Sequence, residues 1–266
     1  MQQQARITFD NVSVEYPTAT GSMLAVDNVT LDIRQGEFVS LIGPSGCGKT
    51  TIMNCVAGFV EPARGTVLLD GKSISGPGPD RGVMFQDYGV FPWLTVEDNI
   101  EFGLKLRANH RPKNERKEIS RRYMELMGLT DFGTAFPKTL SGGMRQRLAL
   151  ARTYAVQPEF LLMDEPFGAL DAQTRTAMQM LLLDVLRAES KTVMMITHSV
   201  EEALLLSSRI VVITARPARV RRIIDIPFDY PRDITIQERP EFIELHAELR
   251  EIVMREYAEQ QRQKLN

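Results

Sequence analysis

Gly43-Pro44-Ser45-Gly46-Cys47-Gly48-Lys49-Thr50 constrains the fold of this chain more than any other stretch. It fits the pattern G-x-x-x-x-G-K-[ST], and its surroundings fit too. An apolar run, Phe38 to Ile42, enters it, and a helical pattern, Thr51 to Ala57, leaves it. Glycines let the backbone curl until successive N–H groups point inward, forming a nest for phosphate oxygens. The helix start adds unpaired N–H groups and the positive end of its dipole. Lys49 can reach the terminal phosphates as a point charge, and the Thr50 hydroxyl can bind Mg²⁺. Thr51, next in the same helix start, is counted with the nucleotide site. A Gly-rich turn beside a surface lysine would share the bare pattern, but strand, loop and helix in this order favour a phosphate site.

Further runs extend the same architecture. Val83–Phe85, Phe160–Met163 and Val193–Thr197 are continuously apolar, as Phe38–Ile42 is. That pattern suits parallel strands buried on both faces, and the helical stretches between them suit crossovers. Ile210–Thr214 reads as one more strand. Residues 6–36 instead alternate, with Ile7, Phe9, Val12 and Val14, then Val26, Val29, Leu31 and Ile33. Alternation predicts two or three half-buried antiparallel strands, with a turn or loop over Pro17–Ser22. Gly65 to Ile74 predicts a hairpin closing at Asp70-Gly71. A mostly helical insert runs from about Thr95 to Val156, opened by a cap at Thr95. Its many Lys and Arg residues interleave with Glu115 and Glu118, the mark of a solvated helix face. Beyond Pro231 the chain turns polar and ends in an amphipathic helix, about Glu241 to Gln260.

The expected fold is therefore α/β: a P-loop NTPase core with a mostly parallel sheet, an antiparallel β subdomain and an inserted α-helical subdomain. The expected main domain is 6–238, with the helical part about 88–157 and a helical tail over 239–266. The 266 residues are 43% hydrophobic and 25% charged, enough for a sizeable core. A net charge of −2 gives no basic field, so nucleic acid is not an expected partner. No apolar run nears the roughly 18 residues that cross a bilayer, and Met1–Arg6 lacks the apolar core of a signal peptide. A cytosolic chain is expected. The two cysteines, Cys47 and Cys55, match no metal spacing. Cys47 lies near a helix N-terminus, which can lower a thiol pKa, but an inert small residue is the favoured reading.

Two more stretches carry chemistry. Phe160-Leu161-Leu162-Met163 ends in Asp164-Glu165. In a parallel sheet the carboxyl end of a strand faces the ligand crevice. Asp164 there can hold Mg²⁺ through its water shell, and Glu165 can polarise an attacking water. Alone, such a pair is usually a helix cap; beside a phosphate loop it becomes the second half of a nucleotide site. Leu140-Ser141-Gly142-Gly143-Met144-Arg145-Gln146-Arg147 stands before a helix expected over Leu148–Val156. It is a second Gly-rich turn feeding a helix, able to bind an anion through N–H groups and the Ser141 hydroxyl.

With these motifs in order, the chain resembles the ABC transporter ATPases over about residues 6 to 240. Leu140-Ser141-Gly142-Gly143-Met144 looks like the family signature, with Met144 where glutamine is commoner. Gln86 in Phe85-Gln86-Asp87 is similar to the family's Mg²⁺- and water-sensing glutamine. Gly168-Ala169-Leu170-Asp171 resembles the segment that pairs across the dimer, and His198 the switch histidine at the γ-phosphate. Tyr16 matches the aromatic that stacks on adenine. The resemblance implies ATP and Mg²⁺ as cofactors. It also implies a head-to-tail dimer in which Ser141, Gly142 and Gly143 of one copy complete the site of the other. Glu165, His198 and Gln86 are then the catalytic residues, and Thr50, Gln86 and Asp164 the metal ligands.

A separate ATPase chain of this kind resembles bacterial importers. The signature, Phe167 to Asp171, Thr197 to Ala203, Arg216-Pro217 and the short tail look more narrowly like nitrate/sulfonate/taurine-type import ATPases. That implies a transmembrane permease, an indirect solute-binding protein, a place on the cytoplasmic face of the inner membrane and a small, often anionic cargo. An export or lipid-handling ATPase, or a soluble non-transport ABC ATPase, are the alternatives. Asp87–Leu94, aromatic and holding the only Trp, is either the permease contact or internal packing of the insert.

Overall fold

A computed structural model describes residues 5–19, 21–188, 191–230 and 232–265. The chain divides into two compact units, 1–78 with 186–266, and 79–185.

The first unit holds an antiparallel sheet and a parallel one. β1 (Ala5–Thr18) and β2 (Gly21–Arg34) form a long hairpin, with Ile7 opposite Ile33 and Phe9 opposite Leu31. Burial alternates over Ile7–Phe9 and Val29–Ile33, as a one-sided sheet requires, and the alternation breaks at Val12–Val14, where the register shifts. Pairing continues to Pro17–Ser22 and Thr18–Gly21, so the turn or loop expected over 17–22 is corrected to strand at those four residues. Edge pairing beyond the reach of a neighbouring strand tolerates the missing N–H of Pro17; Thr20 lies outside the described residues. β4 (Arg64–Leu69) pairs with β1 on its other side and with β5 (Lys72–Ser73). Asp70 and Gly71 both take positive φ, 49° and 75°, as a two-residue turn between twisted strands demands.

In the parallel sheet of this unit, β3 (Phe38–Ile42) lies between β8 (Thr192–Ile196) and β9 (Arg209–Ile213), parallel to both. All three are buried throughout, which explains their unbroken apolar sequences. β10 (Val220–Asp225) adds antiparallel to β9 at the edge. Its sequence, Val-Arg-Arg-Ile-Ile-Asp, was not read as a strand because charges guard an edge and break the apolar run. α1 (Lys49–Ala57) follows the glycine loop, α6 (Val200–Leu206) follows β8, and α7 (Pro240–Leu265) closes the chain. The last helix is longer at its C-terminal end than the pattern over 241–260 implied.

In the second unit β6 (Arg81–Met84) runs parallel to β7 (Phe160–Asp164). Between them come α2 (Val96–Lys105), α3 (Lys113–Leu126) and α4 (Gly142–Ala155), packed against one another around Tyr123 and Tyr154. The Thr95 hydroxyl accepts from the Asp98 N–H at 3.2 Å, the expected cap. α4 starts at Gly142, not near Leu148. The Ser141 hydroxyl accepts from the Met144 N–H at 3.2 Å, so both glycines lie inside the first helical turn. α5 (Ala172–Ala188) leaves this unit, capped by the Asp171 carboxylate on the Thr174 N–H.

Candidate functional site

The glycine loop leaves the carboxyl end of β3, where open α/β sheets bind ligands. Gly43 has φ 159° and Gly48 φ 123°. A Cβ on Gly43 would stand 2.5 Å from the Ile213 carbonyl oxygen, and one on Gly48 2.8 Å from that of Ala25. Glycine is required at both by close approach of backbone. Among the described residues, no acceptor takes the N–H groups of Gly46 or Gly48. These free donors, at the head of α1, suit phosphate oxygens.

Lys49 is buried, and its ammonium donates to the carbonyls of Gly43 and Pro44, each at 2.8 Å. The lysine thus closes the loop on itself and stands over the cradle. Cys47 is buried beneath, with its thiol pushed up by burial and only partly drawn back by the Lys49 charge. Thr50 is exposed. Thr51 is half-buried and receives a bond from the Tyr16 hydroxyl at 3.4 Å, so the loop helix and the hairpin tyrosine meet. His198, exposed, follows the carboxyl end of β8, which is parallel to β3, so it leaves the sheet on the same edge as the loop. The Ser199 hydroxyl caps α6 on the Glu202 N–H at 3.2 Å, and Thr197 donates to Glu202 at 2.6 Å. These bonds fix the backbone on either side of His198.

In the second unit Asp164 ends β7 and Glu165 follows at φ 46°, a left-handed turn that costs a non-glycine residue about a kcal/mol or more. Gln86 Nε2 lies 3.5 Å from Glu165 Oε2. The structure therefore brings together the second residue after β6 and the first residue after β7. Buried Gln146 donates to the Pro166 carbonyl at 2.5 Å, tying α4 to that turn. A Cβ on Gly143 would meet Thr174 Cγ2 at 2.6 Å, so the signature turn needs glycine to approach α5. Ser141, Gly142 and Gly143 are exposed or half-buried at the head of α4, open to an anion.

Several contacts escaped sequence reading. The Arg216 guanidinium donates to the Gly46 carbonyl at 2.7 Å, and Gln260 to the Ser45 carbonyl at 2.8 Å. Neither sits near the loop in sequence. Asn99, fully buried, donates to the Phe91, Leu94 and Thr95 carbonyls and accepts from the Phe91 N–H, holding the aromatic segment. Arg152 donates to the Gly89 carbonyl and lies 4.1 Å over the Phe91 ring. Phe91 also packs 4.4 Å from Phe102. Internal packing explains Phe91, whereas Trp93 remains 69% exposed.

In kind, the Thr50 hydroxyl of the first unit and the Asp164 carboxylate and Gln86 amide oxygen of the second are hard oxygen ligands of the sort Mg²⁺ takes. No group of three or more His, Cys, Asp or Glu that could hold a metal occurs among the described residues.

A model of the ABC transporter family matches residues 26–168. The nitrate import ATP-binding protein of Synechococcus elongatus is 43% identical over 252 residues, covering 94% of this chain and 92% of that one. The bicarbonate transport ATP-binding protein of a Synechocystis strain is 44% identical over 243 residues, covering 91% and 86%. A solved dimeric ATP-binding cassette in a post-hydrolysis state, with ADP and Pi bound, superposes with a TM-score of 0.73 at 31% identity, covering 84% of this chain and 100% of that one. The chain belongs to the ABC transporter family, as an ATP-binding and ATP-hydrolysing subunit.

Proposed function

We propose that this protein is the ATPase of an importer that moves a small anion, of the nitrate, bicarbonate, sulfonate or taurine kind. What supports that reading is one observation: likeness to two anion-transport ATPases extends over about nine tenths of the chain. The ATPase would serve a transmembrane permease on the cytoplasmic face of the membrane, with a solute-binding protein delivering cargo from the other side. No helix among the described residues is long and apolar enough to cross a membrane, which leaves the crossing to the permease.

Within this reading Lys49 and the free N–H groups of the loop hold the β- and γ-phosphates, and Tyr16 stacks on adenine. Thr50, Asp164 and Gln86 would hold Mg²⁺, which supplies charge neutralisation on the phosphates. Glu165 accepts the proton of the attacking water, whose oxygen bonds to the γ-phosphorus as the bond to the β-bridging oxygen breaks, leaving ADP and phosphate. His198 aligns water and γ-phosphate. Most of the rate comes from position and charge rather than covalent chemistry. Ser141, Gly142 and Gly143 would complete the site of a second copy, so ATP joins two chains and hydrolysis parts them. Binding shifts the dimer toward closure only by its greater affinity for the closed state.

The test is uptake by the chain co-expressed with its permease and reconstituted in vesicles. ATP-dependent movement of nitrate, bicarbonate or a sulfonate toward the ATPase side is expected. Movement away from that side, or ATP hydrolysis that no anion or binding protein stimulates, would overturn the importer reading.

A further inference from the structure

A second basic place lies outside the residues assigned above. In the first unit, α7 and the turn from β9 to β10 enclose a cleft of about 510 Å³. Arg216, Arg219 and Arg221 enter it from the turn and strand, and Arg255 and Arg262 from the helix. Only Glu256 and Glu259 oppose them within the lining. Glu256 is already engaged, since its Oε2 accepts from the Ala215 N–H at 3.1 Å and its Oε1 lies 3.4 Å from Arg221. Glu259 lies 3.7 Å from Arg262, which is 77% exposed, a pairing too wet to hold the arginine firmly. Arg219 and Arg255 turn to Asp27 and Glu251, each at 2.5 Å. Arg216 has no carboxylate partner among the described residues; its guanidinium meets the Met23 sulfur at 3.0 Å and the Gly46 carbonyl at 2.7 Å.

Arg216 is also shared with a smaller cavity lined by Ser45, Gly46, Gln260 and Gln263. The cleft is thus joined to the phosphate loop through two tethers, Arg216 on Gly46 and Gln260 on Ser45. Both grip loop carbonyls, while the Gly46 and Gly48 N–H groups have no acceptor among the described residues. A planar guanidinium matches a carboxylate or phosphate with two parallel bonds, a better partner than one carbonyl.

We propose that this cleft binds a small polyanion bearing carboxylate or phosphate groups, through Arg216, Arg221 and Arg262, and that its binding draws Arg216 off Gly46 and weakens nucleotide binding. The second half rests on the phosphate loop being the nucleotide site. Linkage makes the effect mutual: nucleotide must weaken the polyanion by the same factor. A factor of about five, the low end of measured couplings, is expected for loss of one of two tethers.

Two probes separate the possible chemistries, citrate for carboxylates and 3-phosphoglycerate for a phosphate-bearing anion. Each is titrated calorimetrically into the full chain without nucleotide, at constant ionic strength, against a chloride control. Saturable binding of at least one probe is expected, weakened tenfold or more in Arg221→Gln/Arg262→Gln, whose ATP affinity without probe stays that of the wild type. ATP is then titrated at saturating probe with free Mg²⁺ held constant; its Kd should rise about fivefold, and Arg216→Gln should abolish that rise. Absence of binding above chloride, or equal binding by the double variant, overturns the site. Unchanged ATP affinity at saturating probe overturns the coupling. Failure of ATP to bind without any probe would instead sink the nucleotide reading, and the probe titrations would still decide the cleft.

Discussion

Gln86 Nε2 stands 3.5 Å from Glu165 Oε2, joining the ends of two parallel neighbouring strands. An amide donates to the carboxylate without bringing a charge, which suits the general base proposed for Glu165. Glu165→Gln should keep ATP binding and slow turnover by ~10²–10⁴, the usual worth of a general base. Single-turnover hydrolysis beside a binding titration checks this. Retained turnover would remove Glu165 from the proton transfer.

Lys49 is expected to act on affinity rather than on the proton. Its ammonium bridges two loop carbonyls, each at 2.8 Å. Lys49→Ala removes that bridge together with the charge that phosphates meet. Nucleotide affinity should fall by about tenfold or more, the loss of one charge-assisted bond of roughly 1.5–3 kcal/mol. Fluorescent-nucleotide titration reads it, and wild-type affinity in the variant would contradict the role.

Ser141 has two separable duties. Its hydroxyl caps α4 on the Met144 N–H, and it is proposed to touch the γ-phosphate of a second copy. Ser141→Ala should cost ~1 kcal/mol of stability through the cap. Ser141→Asp keeps a capping oxygen but sets a negative charge against the phosphate. In a Glu165→Gln background with ATP, the parent should elute as a dimer by size-exclusion chromatography and the Ser141→Asp variant as a monomer. A dimer in both would show that this turn does not join the copies.

The parallel strands, the glycine loop and the helical segment were legible because their signals are local: a buried strand is apolar throughout, and a phosphate cradle needs glycine at fixed offsets. β10 was not, because an edge strand hides under charge. The start of α4 was misplaced because two glycines read as a turn, whereas Ser141 caps them inside a helix. Arg216, Gln260 and Asn99 could not be found by spacing, since each serves backbone carbonyls, which carry no residue identity. Among the site residues, the loop and Gln86 beside Glu165 are visible as geometry. The adenine role of Tyr16 rests on resemblance, although the structure does seat its hydroxyl on Thr51.

Cys47 sits inside the phosphate loop, where a reactive thiol would make the enzyme redox-sensitive. Burial pushes its pKa up, and burial pushes that of Cys55 up to about 12. Only thiolate reacts with disulfide reagents, so at pH 8 neither residue should. Native protein should release essentially no thionitrobenzoate from Ellman's reagent, and denatured protein should release two equivalents, one for each cysteine. Rapid labelling of native Cys47 with loss of ATPase would reverse the assignment.

Arg232 is the least exposed arginine in the first unit, at 2%, and it stabilises the helix that follows His198. Its guanidinium donates to the carbonyls of Leu204, Leu205, Ser207 and Phe228 and lies 5.6 Å over the Tyr230 ring. Three of those carbonyls belong to the C-terminal end of α6 and the residue after it, where backbone acceptors lack helical partners and a cation meets the negative end of the dipole. Burial lowers the Arg232 pKa to about 10, which still leaves it charged at neutral pH. Arg232→Ala strands several buried acceptors at once, at roughly 1–3 kcal/mol each, and should cost about 3–5 kcal/mol. In a chain of this size that is a fall in unfolding midpoint on the order of 10 °C. Arg232→Lys keeps the charge but cannot fan across four carbonyls, so it should lose a substantial part of the same stability. Thermal and urea unfolding of the three proteins check the order wild type, Lys, Ala. An alanine variant as stable as the wild type would mean that water reaches the end of α6 and answers its carbonyls without Arg232.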